Sequence, residues 1–243
     1  MKLDLLKLHI MLLADGGIVK RERTYKIYLT NNSEILQEMF KECAKRAFGI
    51  NHFITDVSRG SPQIIFHSKS AAKKLFKLSP TYRTSKYSDG TIPPAKLTSQ
   101  LFKLPVKEQR ELLKLLFSLE GSISVAFQQR KNKTQMLPRI KLGCTHLKLR
   151  KQLCRWLRKL GFHPTEEKEG IYLRKLADIK KFAREIKFID GVKVCGKARF
   201  FKGMEKNELL FAILRVLREN KDSLMFNLSK EELILLIKKL THG

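Results

Sequence analysis

The apolar positions of this chain follow a helical period and a strand period in turn. Residues 3–14 carry Leu, Ile and Met at helical spacing, and Gly16-Gly17 marks the stop. Residues 18–23 and 25–30 read as two strands about a charged turn. In the second, Ile27 and Leu29 alternate with Lys26, Tyr28 and Thr30, so one face is apolar and the other is free to touch a ligand. Ser33 stands as an N-cap before an amphipathic helix over 34–48 that ends at Gly49. A second hairpin pairs 52–57 with 63–67 around Arg59-Gly60-Ser61-Pro62, and Ser70 caps a short helix over 71–78. Residues 79–99, rich in Ser, Thr, Tyr, Lys and Pro, read as the linker between two halves, after which the order starts again.

The second pass runs helix 106–119, strand 122–129, the basic tip Arg130-Lys131-Asn132-Lys133 and strand 138–144. It continues with helix 148–160 stopped by Gly161, a hairpin of 162–167 with 171–174, and helix 176–188. Helices over 203–219 and 229–240 have no counterpart in the first pass. The chain is therefore expected to be α+β, with two pseudo-symmetric αββαββα halves at residues 1–98 and 99–243.

Chemistry repeats along with the pattern. The first apolar helix runs into Asp15-Gly16, and 105 positions later the second runs into Glu120-Gly121. A formal net charge of +27, from 50 Lys and Arg against 23 Asp and Glu, calls for a polyanionic partner, most often nucleic acid. Two carboxylates brought together in such a chain suit a divalent metal held against a nucleic-acid backbone. No apolar run is long enough for a spanning helix, which argues against a membrane. Lys7 and His9 interrupt the first apolar run, so it does not read as a signal peptide. The expectation is a soluble cytoplasmic protein associated with the nucleoid. Cys43, Cys144, Cys154 and Cys195 form no CxxC pair and read as free thiols in a reducing compartment. His9 reads as a packed residue of the first helix. His146 lies close to a strand end with no second nitrogen ligand, and Trp156 shares an apolar helix face with Leu153, Leu157 and Leu160.

The paired apolar helices ending in Asp15-Gly16 and Glu120-Gly121 resemble those of the LAGLIDADG homing endonucleases in their single-chain, two-repeat form. Thr30-Asn31-Asn32-Ser33-Glu34 is similar to the family's Thr-Gln-Lys-Ser-Glu junction, and Arg155-Trp156-Leu157-Arg158-Lys159-Leu160-Gly161 to its helix between hairpins. The resemblance covers about residues 3–218. It implies a monomer in which two four-stranded antiparallel sheets form a DNA-binding saddle, with the motif helices side by side at a pseudo-twofold axis. It implies sequence-specific, metal-dependent hydrolysis of double-stranded DNA with a staggered cut. Asp15 and Glu120 would be catalytic and would bind Mg²⁺ together with the backbone of Gly16 and Gly121, and Ca²⁺ or Mn²⁺ could take the same site. Each acid would sit at the negative end of a helix dipole and beside a like charge, and a bound divalent cation relieves both costs.

Three departures bear on activity. Asn31-Asn32 and Cys144-Thr145 stand where many members carry Gln-Lys. Asn31 remains a catalytic candidate, Lys202 a replacement for the missing charge, and Lys96 a weaker one in the first half. Ile10 and Leu115 occupy helix-packing positions that are small in the family. On the DNA face the resemblance and the alternation together place Lys26, Tyr28, Thr30, Ser124, Gln128, Arg139 and Lys141. Arg21, Arg23, Arg59, Arg130, Lys131 and Lys133 lie near hairpin ends, where long cations meet phosphates and Gln or Arg reach base edges. The competing reading is a non-cleaving nucleic-acid-binding protein of the same fold, an intron RNA maturase or a domesticated regulator.

Overall fold

The computed structural model describes residues 2–57, 60–195 and 200–241. In chain order the first half comprises α1 (Lys2–Ala14), β1 (Gly16–Lys20), β2 (Tyr25–Thr30), α2 (Glu34–Phe48), β3 (Ile54–Asp56), β4 (Gln63–His67) and α3 (Lys69–Phe76). After a 3-10 turn at Ser99–Lys103 come α4 (Val106–Glu120), β5 (Gly121–Arg130), β6 (Lys133–Gly143), α5 (Leu147–Lys159), β7 (Thr165–Glu167), β8 (Gly170–Leu173) and α6 (Leu176–Glu185). The chain continues with α7 (Lys206–Glu219), β9 (Met225–Phe226) and α8 (Lys230–Thr241).

Two antiparallel sheets result, in the matching orders β1-β2-β4-β3 and β5-β6-β8-β7. The pair β9 adds a fifth strand to the second sheet alongside Thr134 and Gln135 of β6, a contact the sequence pattern did not indicate. Pro138 falls in the gap between the β8 and β9 segments, where β6 has one neighbour rather than two. The strand can therefore run through a proline and begin at Lys133, five residues earlier than expected.

α1 lies at the centre because its sequence leaves it little polar surface. Leu6, Leu8, His9, Ile10, Met11, Leu12 and Leu13 are all buried, covering every side of the helix, and such a helix is stable only when surrounded. It packs on α2 and on α4, the other motif helix. Ile10 and Leu115, bulkier than expected at helix-packing positions, are both buried. One hydrophobic core runs through both halves.

Several boundaries shift for local reasons. Ser68, not Ser70, caps α3, with its Oγ accepting from the Ala71 N–H at 3.1 Å. β1 ends at Lys20, leaving Arg21 and Arg23 in the turn. Ser33 holds the N-cap position of α2, but its side chain makes no cap bond. Instead its N–H donates to Asn31 Oδ1 at 2.8 Å. The linker is no loose tether. Tyr82, Ala95 and Leu97 are buried, Tyr82 donates to the Leu75 carbonyl at 2.9 Å, and the Thr98 N–H donates to His9 Nε2 at 3.3 Å. His9 is the packed residue expected, its second ring nitrogen bonded to Tyr82 at 3.0 Å.

Candidate active site and nucleic-acid face

The acid–glycine junctions have a steric basis. Gly121 has an ordinary extended backbone (φ −88°, ψ 150°), so it is not a left-handed helix cap. A Cβ there would lie 2.3 Å from the Phe117 carbonyl oxygen, and one on Gly16 would lie 2.5 Å from that of Tyr28. Each helix passes directly into a strand at a point where only a hydrogen fits. This fixes the preceding acid at the helix end. The packing of α1 on α4 then brings Asp15 and Glu120 within electrostatic range of each other.

Asp15 opens on a cleft of about 520 Å³ lined also by Asn31, Asn32, Ser118, Lys193, Cys195 and Lys206. Asn31 Nδ2 donates to Asp15 Oδ2 at 2.8 Å. The amide cannot turn away, because its Oδ1 accepts the Ser33 N–H and its backbone carbonyl accepts Gln37 Nε2 at 2.6 Å. Glu120 faces a smaller cavity of about 210 Å³, walled by Ile10, Leu13, Leu97, Leu116, Leu149 and Leu153, with Cys144, Thr145 and His146 at the strand end. His146 is not oriented toward the acid. Its Nδ1 accepts the Leu149 N–H to cap α5, and its Nε2 bonds the Pro93 carbonyl at 2.8 Å.

The cation at this centre is Lys206, the first residue of α7. Its Nζ donates to the carbonyls of Ser118 at 2.9 Å and Gly121 at 2.7 Å, and the side chain is 3% exposed. Lys202, expected to fill this role, is exposed, as is Lys96. The signal was present in the sequence. Lys206 shares its helix face with Leu209, Leu210 and Ile213, and a lysine on an apolar stripe must find a partner inside. The Gly121 carbonyl, expected to face a metal, faces this ammonium instead. The Gly16 backbone pairs with Leu29 in the first sheet.

These surroundings move all three groups. Burial raises the Asp15 pKa, opposed by the Asn31 hydrogen bond and by Lys206. Burial and then the charge of Asp15 push Glu120 up to about 7, with Lys206 opposing. Burial brings Lys206 down to about 8, against the pull of Cys195, Asp15 and Glu120. Cys144, beside Glu120, is pushed up to about 11 by burial and is a neutral thiol. The donor set at the centre is two carboxylates. No cluster of three or more His, Cys, Asp or Glu able to hold a metal occurs among the described residues. Two acids that resist ionisation, with few protein ligands, fit a hard cation such as Mg²⁺, which keeps waters and takes the rest of its shell from a phosphate.

The outer faces of the sheets carry most of the expected contact residues. Lys26, Tyr28 and Thr30 share one face of the first sheet; Tyr28 lies over Gly17, and Thr30 Oγ1 accepts from Gln63 Nε2 at 3.0 Å. In the second sheet Arg139 Nε donates to Ser124 Oγ at 3.0 Å. Arg130 bonds Gln128 at 3.0 Å, and Lys131 and Lys133 are exposed at the tip. Arg21 and Arg23 are exposed at the β1–β2 turn, and Arg59 lies outside the described residues. Alternation missed Tyr172, whose ring is approached by Arg174 at 4.4 Å, Lys141 at 5.6 Å and Arg139 at 5.9 Å. Every residue of β8 is buried, so its hydropathy does not reveal which side faces outward.

Two repeats, paired acid-ended helices and two matching sheets define the single-chain, two-repeat LAGLIDADG fold. Solved structures share it. The LAGLIDADG meganuclease I-AabMI bound to uncleaved DNA has a TM-score of 0.58 and 13% identity, with 98% of each chain covered. I-SmaMI bound to an uncleaveable DNA has a TM-score of 0.52 and 12% identity, again with 98% of each chain covered. I-DmoI in complex with DNA and Mn has a TM-score of 0.50 and 15% identity, covering 76% of this chain and 97% of its own. No family model matches the sequence, and no curated protein matches it.

Proposed function

We propose that this protein is a monomeric, divalent-metal-dependent endonuclease that recognises a specific sequence in double-stranded DNA and makes a staggered cut. What supports this reading is the electrostatic coupling of Asp15, Glu120 and Lys206 where the two packed motif helices end. Asp15 and Glu120 are the residues that would hold Mg²⁺, or Mn²⁺ or Ca²⁺ in its place. A metal there supplies charge neutralisation at the scissile phosphate and a water of lowered pKa. Asn31 keeps the Asp15 carboxylate turned toward the centre. Lys206 holds a positive charge beside the pair, where negative charge grows as the phosphodiester is attacked. Arg139, Lys141 and Arg174 on the sheet and Arg130, Lys131 and Lys133 at its tip engage phosphates and set the register on the duplex. Gln63, Gln128 and Ser124 would read base edges.

The main support for a binding-only protein, such as an intron RNA maturase or regulator, was the absence of strand-end lysines. Lys206 supplies a charge from α7 instead. Among the described residues no helix is long and apolar enough to cross a membrane. The test is incubation with a library of long duplexes and Mg²⁺, followed by sequencing of the ends. Recurrent staggered ends at one site support the nuclease. Sequence-selective binding without any cut, in Mg²⁺ or Mn²⁺, supports the binding-only reading.

A further inference from the structure

α5 carries Lys148, Arg150, Lys151, Arg155, Arg158 and Lys159 and not one acid. The other described helices of comparable length each include at least one: Asp4 in α1, Glu34 in α2, Glu108 in α4, Glu208 in α7 and Glu231 in α8. Cations on these helices are paired with acids of the same helix, as Arg46 is with Glu42 in α2 and Arg215 with Glu219 in α7. Among the described residues, Arg150 is the one cation of α5 paired with an acid, bonding Glu166 at 3.1 Å.

Lys148, Lys151, Arg155 and Arg158 are three or four positions apart and therefore form one stripe. All four are exposed, and none is in a salt bridge with an acid among the described residues. Like charges at this spacing oppose helix formation, so the stripe lowers the stability of the element that bears it. The helix is held by its other side, where Leu149, Leu153, Cys154, Trp156 and Leu157 enter the core. Two exposed lysines between the halves border it. Lys96 precedes Leu97, whose N–H donates to Gln152 of α5 at 2.9 Å, and Lys103 follows Phe102, whose carbonyl accepts Lys159 Nζ at 2.7 Å.

This patch is not part of the saddle. α5 packs on β7 and β8 from the core side, whereas Tyr172, Lys141 and Arg139 lie on the opposite face of that sheet. A duplex seated on the sheets cannot also neutralise the α5 stripe.

We infer that the outer face of α5 is a second, sequence-independent docking surface for duplex DNA. This rests on the reading of the sheets as the specific DNA face. From residue 148 to residue 159 the helix extends about 16 Å, and a duplex presents about one charge per 1.7 Å of axis, so every cation of the stripe finds a phosphate. The occupant is DNA because a long duplex on the saddle keeps its own distant segments at high local concentration. A protein holding two segments at once can pass from one to the other while searching for its site.

The test is the stoichiometry of short, non-target duplexes on the intact protein at low salt, measured by sedimentation. The comparison is a variant with Lys148→Gln, Lys151→Gln, Arg155→Gln and Arg158→Gln; glutamine retains helix propensity and leaves the buried face untouched. The wild type is expected to bind two duplexes and the variant one, with target binding on the saddle retained. The second duplex should also be the first to leave as salt rises, since each of its contacts is to phosphate. A wild type that binds only one duplex, or a variant that still binds two, overturns the inference while leaving the saddle reading intact. A second position filled by an RNA hairpin but not by duplex DNA overturns it too. Failure of the wild type to bind any duplex refutes the saddle reading itself, and the inference with it.

Discussion

Replacing Lys206 with Met separates chemistry from folding. In the fold the Lys206 pKa is about 8 rather than 10.5, so keeping the buried side chain charged at neutral pH costs about 3 kcal/mol. Methionine removes that cost, but it leaves the carbonyls of Ser118 and Gly121 without their donor, at about 1–3 kcal/mol each. The two changes oppose each other, and stability should rise by no more than about 1 kcal/mol or fall by no more than about 3 kcal/mol. Catalysis has no such offset. A preorganised charge at a site of developing negative charge contributes about 10² to 10³ in rate. Removing a cation beside Asp15 and Glu120 should, if anything, favour binding of a divalent metal. The expected Lys206→Met protein therefore folds, binds target DNA in Ca²⁺ as the wild type does, and cuts about 10²- to 10³-fold more slowly at saturating Mg²⁺. Single-turnover cleavage read beside urea denaturation gives both quantities. Undiminished cleavage would refute the role of Lys206, and a protein that loses target binding along with its fold would refute the stability argument.

Other expectations follow from the same centre. Asp15→Asn and Glu120→Gln should each abolish cutting while leaving DNA binding in Ca²⁺ largely intact, because each removes a negative ligand and keeps the side chain's shape; a cutting Asp15→Asn protein would mean the centre lies elsewhere. Without metal, the raised Glu120 pKa makes the fold bind an extra proton, so its contribution to stability is complete below about pH 4.5 and is lost as pH rises through about 7, a change of about 3 kcal/mol. Urea denaturation in chelator at low and high pH should show that slope in the wild type and a shallower one in Glu120→Gln; equal slopes would count against the buried carboxyl. Gly121→Ala should destabilise by about 1–3 kcal/mol, because its Cβ meets the Phe117 carbonyl with no room to relax, and thermal unfolding unchanged from wild type would contradict that contact. Affinity for target DNA should fall steeply with salt, by about 0.9 in log K per log unit for each phosphate neutralised.

The sequence alone determined what depends on neighbours along the chain. Helices, hairpins and their repeated order follow from apolar period and turn residues, and the acids from the places where an apolar helix meets glycine. The glycines were legible as stops, but their reason, a carbonyl within 2.5 Å of any added Cβ, exists only once strand and helix are in place. Tertiary packing decided the rest. Lys202 and Lys206 differ little as letters, yet only Lys206 falls on the buried face of α7, where distant carbonyls and both acids await it. Tyr172 could not be assigned a face, because a strand buried along its whole length has no alternation to read. The linker composition suggested a tether, and the fold instead buries Tyr82 against His9 of α1 and ties Leu97 to Gln152 of α5 by a bond that spans the halves. Local pattern specifies elements because it acts within a few residues; a buried charge, a shared face and a bridging linker are set by which elements meet, and that is decided by the closing of the core.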